Sequence, residues 1–162
     1  MKVAVFGQTL YAGVLAALLA ECGHYVFWCE LLKKPTSEQA YTQDEVVKQL
    51  LDKQQQSGFL KYCDFNTIPL DIDAYLFSFN PTEKVQAIEI LKEIERRTII
   101  HPKLMINAST LGLYGTEQFE KILNQDEWVY LPDIIQEGNA LQSLVQVKQL
   151  IVGCGLESSQ VK

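Results

Sequence analysis

The chain has 162 residues, 48% hydrophobic and 21% charged, a composition typical of one folded globular domain and not of a disordered segment. Its 14 basic and 20 acidic residues give a formal net charge of −6, which argues against a protein that binds duplex nucleic acid, because such proteins usually present a basic face. A nucleotide ligand is compatible with this charge, because helix N-termini and backbone N–H groups bind phosphate.

Membrane and metal-binding classes are also disfavoured. The longest apolar run, residues 14–20, is far shorter than the roughly 20 residues that a membrane span needs, and the first residues form a strand pattern without the apolar region of a signal peptide. We therefore expect a cytoplasmic protein without a membrane partner. The four cysteines, at positions 22, 29, 63 and 154, show neither CxxC spacing nor a paired histidine, so no metal site is predicted and all four are expected to be buried or half-buried thiols.

Short apolar runs alternate with helical periods along the chain. The predicted elements, in chain order, are a strand at Lys2–Phe6, a helix at 14–22, a strand at 25–29, a polar connection at 31–41, a helix at 44–56, a strand at 59–62, a strand at 74–79, a helix capped by Thr82, a strand at 104–107, a helix at 115–123, a strand at 128–131, a helix at 140–148 and a strand at 150–152. This alternation predicts an α/β fold of Rossmann type, with a doubly wound, mainly parallel sheet and helices on both faces.

The strongest local signal is the junction between the first strand and the first helix, GQTLYAG at residues 7–13. A dinucleotide-binding loop uses one glycine for the tight turn, a second where pyrophosphate approaches the backbone, and a third where the helix packs closely on the strand. Gly7 fits the first role and Gly13 the third, whereas the middle glycine is absent. Because these two glycines are six positions apart (13 − 7 = 6) and the pattern has five, the loop is predicted to contain one inserted residue.

An acidic residue follows at the expected distance. Glu30 ends the second strand, 23 residues after Gly7 (30 − 7 = 23). A carboxylate there would accept hydrogen bonds from the adenosine ribose and repel a 2′-phosphate, which favours NAD over NADP. The alternative for Glu30 is an exposed strand-end carboxylate without a ligand.

Five segments in the same order resemble the N-terminal NAD-binding domain of the UDP-glucose/GDP-mannose dehydrogenase family, and within it the UDP-glucose 6-dehydrogenases. The opening MKVAVFG…LYAGVLAALLAECGHYVFWCE is similar to the family's first βαβ unit, whose loop usually reads Gly-x-Gly-Tyr-Val-Gly. The other segments are LLDKQQQSGFLKY, INASTLGLYGT, LPDIIQEGNAL and KQLIVGC. The resemblance covers essentially the whole chain. It implies a Rossmann-like NAD(P)-binding domain over 1–154, followed by a frayed tail over 155–162.

The resemblance also implies roles for individual residues. Around the cofactor these are Gly7, Tyr11 and Gly13 beside the pyrophosphate, Glu30 on the ribose, Asn80, Pro81 and Thr82 in a loop over the cofactor, and Thr110. Thr110 also matches the threonine that orders a catalytic water. Asp133 falls on the glutamate that works near the substrate, shortened by one methylene, and Glu137 falls on the following loop glutamate.

In this family NAD oxidises the C6 alcohol of a UDP-sugar to the acid through a cysteine nucleophile in a later domain, within Gly-x-x-x-Cys-Phe-Pro-Lys-Asp. None of the four cysteines has that context, so the chain alone is expected not to complete the reaction. The chain is then expected to be either a piece of a larger enzyme or a stand-alone domain left over from one, with a dinucleotide and a UDP-sugar as its ligands. One alternative is a regulatory or assembly module that has lost NAD binding. A second alternative, against which residues 132–138 argue, is a β-hydroxyacid-type dehydrogenase domain. Self-association through exposed apolar surface is expected.

Overall fold

The computed structural model describes residues 1–30, 44–97, 104–112, 114–123 and 127–154. The predicted connection at 31–41 and the predicted tail at 155–162 lie outside these ranges. None of the described helices combines the length and the apolar character that crossing a bilayer requires.

Strands and helices alternate along the described chain. The strands are β1 Lys2–Phe6, β2 Tyr25–Glu30, β3 Leu60–Asp64, β4 Ala74–Phe77, β5 Leu104–Asn107, β6 Trp128–Tyr130 and β7 Gly153–Cys154. The α-helices are α1 Leu10–Glu21, α2 Glu45–Ser57, α3 Lys84–Arg97, α4 Gly115–Ile122 and α5 Ala140–Val145, with 3-10 turns at Phe65–Thr67 and Pro81–Glu83.

The strands form a single sheet in the order β3-β2-β1-β4-β5-β6-β7. Neighbours from β3 to β6 are parallel, and β7 pairs antiparallel with β6. The chain therefore winds in one direction from β1 to β3 and in the other from β4 onward, which confirms the predicted doubly wound α/β fold. The order reverses between β1 and β4, where such sheets leave a crevice at the carboxyl ends of their strands.

Two apolar cores cover the two faces of the sheet. Alternate residues of a strand point to opposite faces, so Val5 and Phe6 on β1 serve different cores. Val5 packs with buried residues of α1, α2 and α5, whereas Phe6 packs with buried residues of α3 and α4. All four residues of β4 are buried, as expected for a central strand covered on both sides.

Helix α1 begins four residues earlier than the sequence pattern predicts. Thr9 is its N-cap, since the Thr9 hydroxyl oxygen accepts a hydrogen bond from Ala12 N at 2.9 Å. The apolar residues Leu10 and Tyr11 therefore belong to the helix and not to the loop. This start shortens the segment between β1 and α1 to residues 7–9.

Other predicted element ends also differ from the structure, since the strand predicted at 74–79 ends at Phe77 and the helix predicted at 140–148 ends at Val145. The last described strand is Gly153–Cys154 and not residues 150–152, because the small Gly153 fits beside Tyr130, whose Cβ would be 3.3 Å from a Cβ at that position. Asn80, and not Thr82, caps the turn before α3. The Asn80 side chain and Glu83 form a reciprocal capping box, in which Asn80 N donates to Glu83 Oε2 at 2.7 Å.

Candidate functional site

The loops that follow β1 and β4 meet at the switch point of the sheet. Gly7 has a φ of +105°, and a Cβ placed on it would lie 1.8 Å from the backbone oxygen of Ser78. Two hydrogen bonds hold this approach, from Ser78 N to Phe6 O at 2.8 Å and from the indole Nε1 of Trp28 to Gly7 O at 2.8 Å. Gly7 thus makes a tight turn that only glycine can make. The buried Trp28 is a core residue that also supports this turn.

Thr9 occupies the position of the second glycine. It lies two residues after Gly7, as in Gly-x-Gly, and directly caps α1. The helix is continuous from Leu10, so the predicted inserted residue is not present as a bulge. The Thr9 hydroxyl lies 2.6 Å from the hydroxyl of Ser78, and both residues are buried.

Ala12, and not Gly13, occupies the third position of the pattern, which accepts glycine or alanine. Ala12 is fully buried against the sheet. Gly13 is already the fourth residue of α1, and its N–H donates to Thr9 O at 3.2 Å. Its backbone donor is thus engaged within the helix, and the pyrophosphate role of Gly13 stays a prediction.

Tyr11 faces the protein interior. The whole residue is 1% exposed, and its hydroxyl donates to Pro132 O at 3.0 Å, which ties the first turn of α1 to the loop after β6. The predicted contact with pyrophosphate therefore does not come from the Tyr11 side chain, which is engaged with Pro132. Burial, with a smaller contribution from the negative charge of Asp133, raises the pKa of Tyr11 far above its usual value.

The shifted pKa of Tyr11 predicts a loss of stability at alkaline pH. In the unfolded chain this phenol titrates near pH 10.0, whereas the folded protein retains its proton to higher pH. The free energy of unfolding should therefore fall as the pH rises above this value. Tyr11→Phe should reduce that slope between about pH 9 and pH 11 in denaturant titrations. The matched variant Tyr25→Phe, at an exposed tyrosine, should leave it unchanged; equal slopes for wild type and Tyr11→Phe would contradict the assignment.

The loops after β4 and β5 are joined by hydrogen bonds. The Ser109 hydroxyl accepts from Phe79 N at 3.0 Å and donates to Phe77 O at 3.3 Å, and Thr110 N donates to Phe79 O at 3.0 Å. Thr110 itself is exposed, and its hydroxyl contacts Phe79 O only at a long 3.5 Å. The structure thus brings Thr110 beside the segment that contains Asn80 and Pro81, both of which are exposed.

Asp133 lies on the loop after β6, next to the Pro132 carbonyl that Tyr11 contacts. Its Oδ1 accepts a hydrogen bond from Ile135 N at 3.1 Å, which closes an Asx turn. Partial loss of hydration raises the pKa of Asp133, although the residue remains exposed. Among the described hydrogen bonds none joins Asp133 to Thr110, and Glu137 is exposed further along the same loop.

Glu30 is the last residue of β2 and stands opposite Asp64 of β3 in the sheet register. It lies one residue beyond the Phe6–Cys29 pair, so its backbone is at the same edge of the sheet as Gly7. The structure does not describe the position of its side chain.

Two residues of this region, Thr9 and Ser78, have no role predicted from the sequence, whereas Ser109 lies beside Thr110 in the segment INASTLGLYGT that carries the resemblance. Thr9 carries a recognisable signal, because a threonine directly before Leu10, Tyr11 and the following apolar residues is a typical N-cap. Ser78 and Ser109 are small hydroxyl residues just after buried strands, and their roles depend on contacts between distant loops.

Comparison with solved structures gives matches over nearly the whole chain. They include a GDP-mannose dehydrogenase from Pseudomonas aeruginosa (18% identity, TM-score 0.71, 94% of this chain and 41% of that one) and a UDP-D-ManNAc dehydrogenase from Pyrococcus horikoshii (16%, 0.72, 95% and 41%). A third is a UDP-glucose dehydrogenase from Pyrobaculum islandicum (14%, 0.70, 95% and 40%).

The sequence matches no protein-family model and no curated protein. At identities below 20% the structural likeness shows the fold, and the chain spans about two fifths of the length of each of these structures. The solved structures that share this fold thus include dehydrogenases of UDP-glucose, GDP-mannose and UDP-ManNAc, the family that the sequence motifs of this chain resemble.

Proposed function

We propose that this chain is the NAD-binding domain of a nucleotide-sugar dehydrogenase. The observation that carries the proposal is the turn at Gly7, held against Ser78 at the point where the strand order reverses. Dinucleotides bind at such switch points, where a helix N-terminus follows a glycine turn. The fold that the chain shares with sugar-nucleotide dehydrogenases supports the same conclusion.

The residues present fit a pyrophosphate group through the backbone. The N–H groups of Leu10 and Tyr11 precede the first intrahelical hydrogen bond, which Gly13 N makes to Thr9 O. These two donors, at the positive end of a 12-residue helix, would hold the phosphates. The Ala12 N–H donates to the Thr9 hydroxyl, so Thr9 removes one backbone donor from the proposed pyrophosphate site and leaves those of Leu10 and Tyr11.

In the proposed arrangement the cofactor accepts a hydride from the sugar alcohol, and the protein supplies binding and orientation. Glu30 would hold the ribose, with Asn80 and Pro81 covering the cofactor. Thr110 and Asp133 lie on the loops after β5 and β6 and would face the substrate. The cysteine nucleophile of the family would have to come from outside this chain.

The identity of Thr9 favours a second candidate function. A side chain at the second glycine position carries a Cβ where pyrophosphate would approach the backbone. A domain that kept the fold and lost NAD would serve as a regulatory or assembly module, since a fold does not determine a function.

Calorimetric titration of the chain with NAD, and with NADP for comparison, tests the proposal. We expect saturable binding of NAD and weaker binding of NADP. Glu30→Gln should weaken NAD binding about 10- to 100-fold, because hydrogen bonds to a charged group contribute roughly 1.5–3 kcal/mol. The matched variant Asp64→Asn, opposite Glu30 on β3, should bind NAD like the wild type.

The outcomes of this titration separate the two candidates. Saturable NAD binding that Glu30→Gln leaves unchanged would contradict the ribose role while retaining the domain assignment. No binding at millimolar NAD would overturn the proposed function and leave the non-catalytic module.

A further inference from the structure

Two buried cysteines face each other across neighbouring strands. Cys29 on β2 and Cys63 on β3 are register partners, and their sulfur atoms lie 3.7 Å apart. Neither forms a disulfide. They lie in the core on the α3 side of the sheet, outside the proposed nucleotide contacts.

The spacing of the strands suits a disulfide between these residues. Paired strands lie about 4.7–4.9 Å apart, within the roughly 4.4–6.8 Å that the Cα atoms of a disulfide span. The sulfur atoms would have to approach by about 1.7 Å to reach a bond length near 2.05 Å.

We propose that Cys29 and Cys63 form a reversible, peroxide-oxidised dithiol site. The inference does not depend on NAD binding. It rests on the sulfur separation, on the register pairing and on the unequal exposure of the two residues, which is 0% for Cys29 and 8% for Cys63.

The unequal exposure sets the order of the chemistry. Hydrogen peroxide oxidises the more accessible Cys63 thiol to a sulfenic acid and is itself reduced to water. The Cys29 sulfur then attacks the Cys63 sulfur, the S–S bond forms, the S–O bond breaks, and a second water leaves with the Cys29 proton. Burial raises the pKa of the Cys29 thiol, so closure should be slower than oxidation of an exposed thiol.

The test uses the full chain with Cys22→Ser and Cys154→Ser, because both of these cysteines are exposed and would react first. After peroxide treatment of the folded protein, thiols are counted in denaturant and the intact mass is measured. We expect both thiols to disappear together, the monomer mass to fall by two hydrogen atoms, and dithiothreitol to restore both thiols. Two remaining thiols, or added oxygen on Cys63 with Cys29 still a thiol, would overturn the proposal.

Single variants in this background test the order of the steps. Cys29→Ser should leave a sulfenic acid on Cys63, because no resolving thiol is present, and dimedone added together with denaturant after the peroxide treatment should trap it, since Cys63 is buried in the folded protein. Cys63→Ser should leave Cys29 as a thiol over the same time. Oxidation of Cys29 in the Cys63→Ser protein at the wild-type rate would contradict the assigned order. Circular dichroism of each variant before treatment shows that the fold is retained.

Discussion

Gly7→Ala is expected to destabilise the domain by about 2–5 kcal/mol and to abolish nucleotide binding. A φ of +105° costs an L-residue about 1–2 kcal/mol. The added methyl group would also meet the Ser78 oxygen at 1.8 Å, and relieving such an overlap in a packed site costs typically about 1–3 kcal/mol. Because backbone must move to make room, the turn that presents the start of α1 would be displaced.

A matched glycine separates the two contributions to this loss. Gly58, which ends α2, has a φ of +81°, and no atom beyond its neighbours in the chain lies within 4 Å of the position that an alanine methyl group would take there. Gly58→Ala should therefore cost about 1–2 kcal/mol, from the backbone conformation alone. Denaturant unfolding of both variants measures the difference. Equal losses of stability would show that the close approach of Gly7 to Ser78 does not constrain this turn.

Thr9→Gly is expected to strengthen NAD binding, by about ten-fold or more, which corresponds to about 1.4 kcal/mol. Removing this side chain restores the glycine that lets pyrophosphate approach the backbone and releases the N–H of Ala12. Glycine is itself an acceptable N-cap, so the loss of the cap costs only a few tenths of a kcal/mol. Loss of the hydroxyl contact with Ser78 lowers the free energy of unfolding by about 1 kcal/mol more. The domain should remain folded after both losses.

Thr9→Ser provides the control for this prediction. Serine retains the Cβ, the cap and the hydroxyl partner of Ser78, so NAD affinity should stay at the wild-type value. Calorimetry on the three proteins compares them directly. Tighter NAD binding by Thr9→Gly, with no change in Thr9→Ser, would show that the side chain at position 9 weakens NAD binding. Unchanged affinity in Thr9→Gly would contradict the role assigned to the second position.

The sheet could be predicted from the sequence because its central strands are apolar on both faces. Runs such as residues 3–6 and 74–77 are continuous rather than alternating, and helical periods separate them, which is the pattern of a parallel sheet covered on both sides. The antiparallel β7 was misplaced, because its position depends on the contact of Gly153 with Tyr130 and not on local β-forming residues.

The glycine loop could be located but not aligned from the sequence. Buried residues lie on every side of α1, so periodicity gives no reliable starting residue for the helix. The resemblance places Tyr11, Ala12 and Gly13 on the family's Tyr-Val-Gly, whereas counting from Gly7 along the short loop of the structure puts Thr9 and Ala12 at the second and third positions of the pattern. Only tertiary contacts, such as those of Thr9 and Ser109 with residues 77–79, define the remaining site.

The most direct test of the proposed site is amide NMR of the chain during titration with NAD. We predict saturable shifts of the amide signals of Gly7, Leu10 and Tyr11, with smaller changes at Ser78, because these groups surround the start of α1. Absence of shifts at millimolar NAD, or shifts confined to residues away from this junction, would contradict a nucleotide site at the junction of β1 and α1.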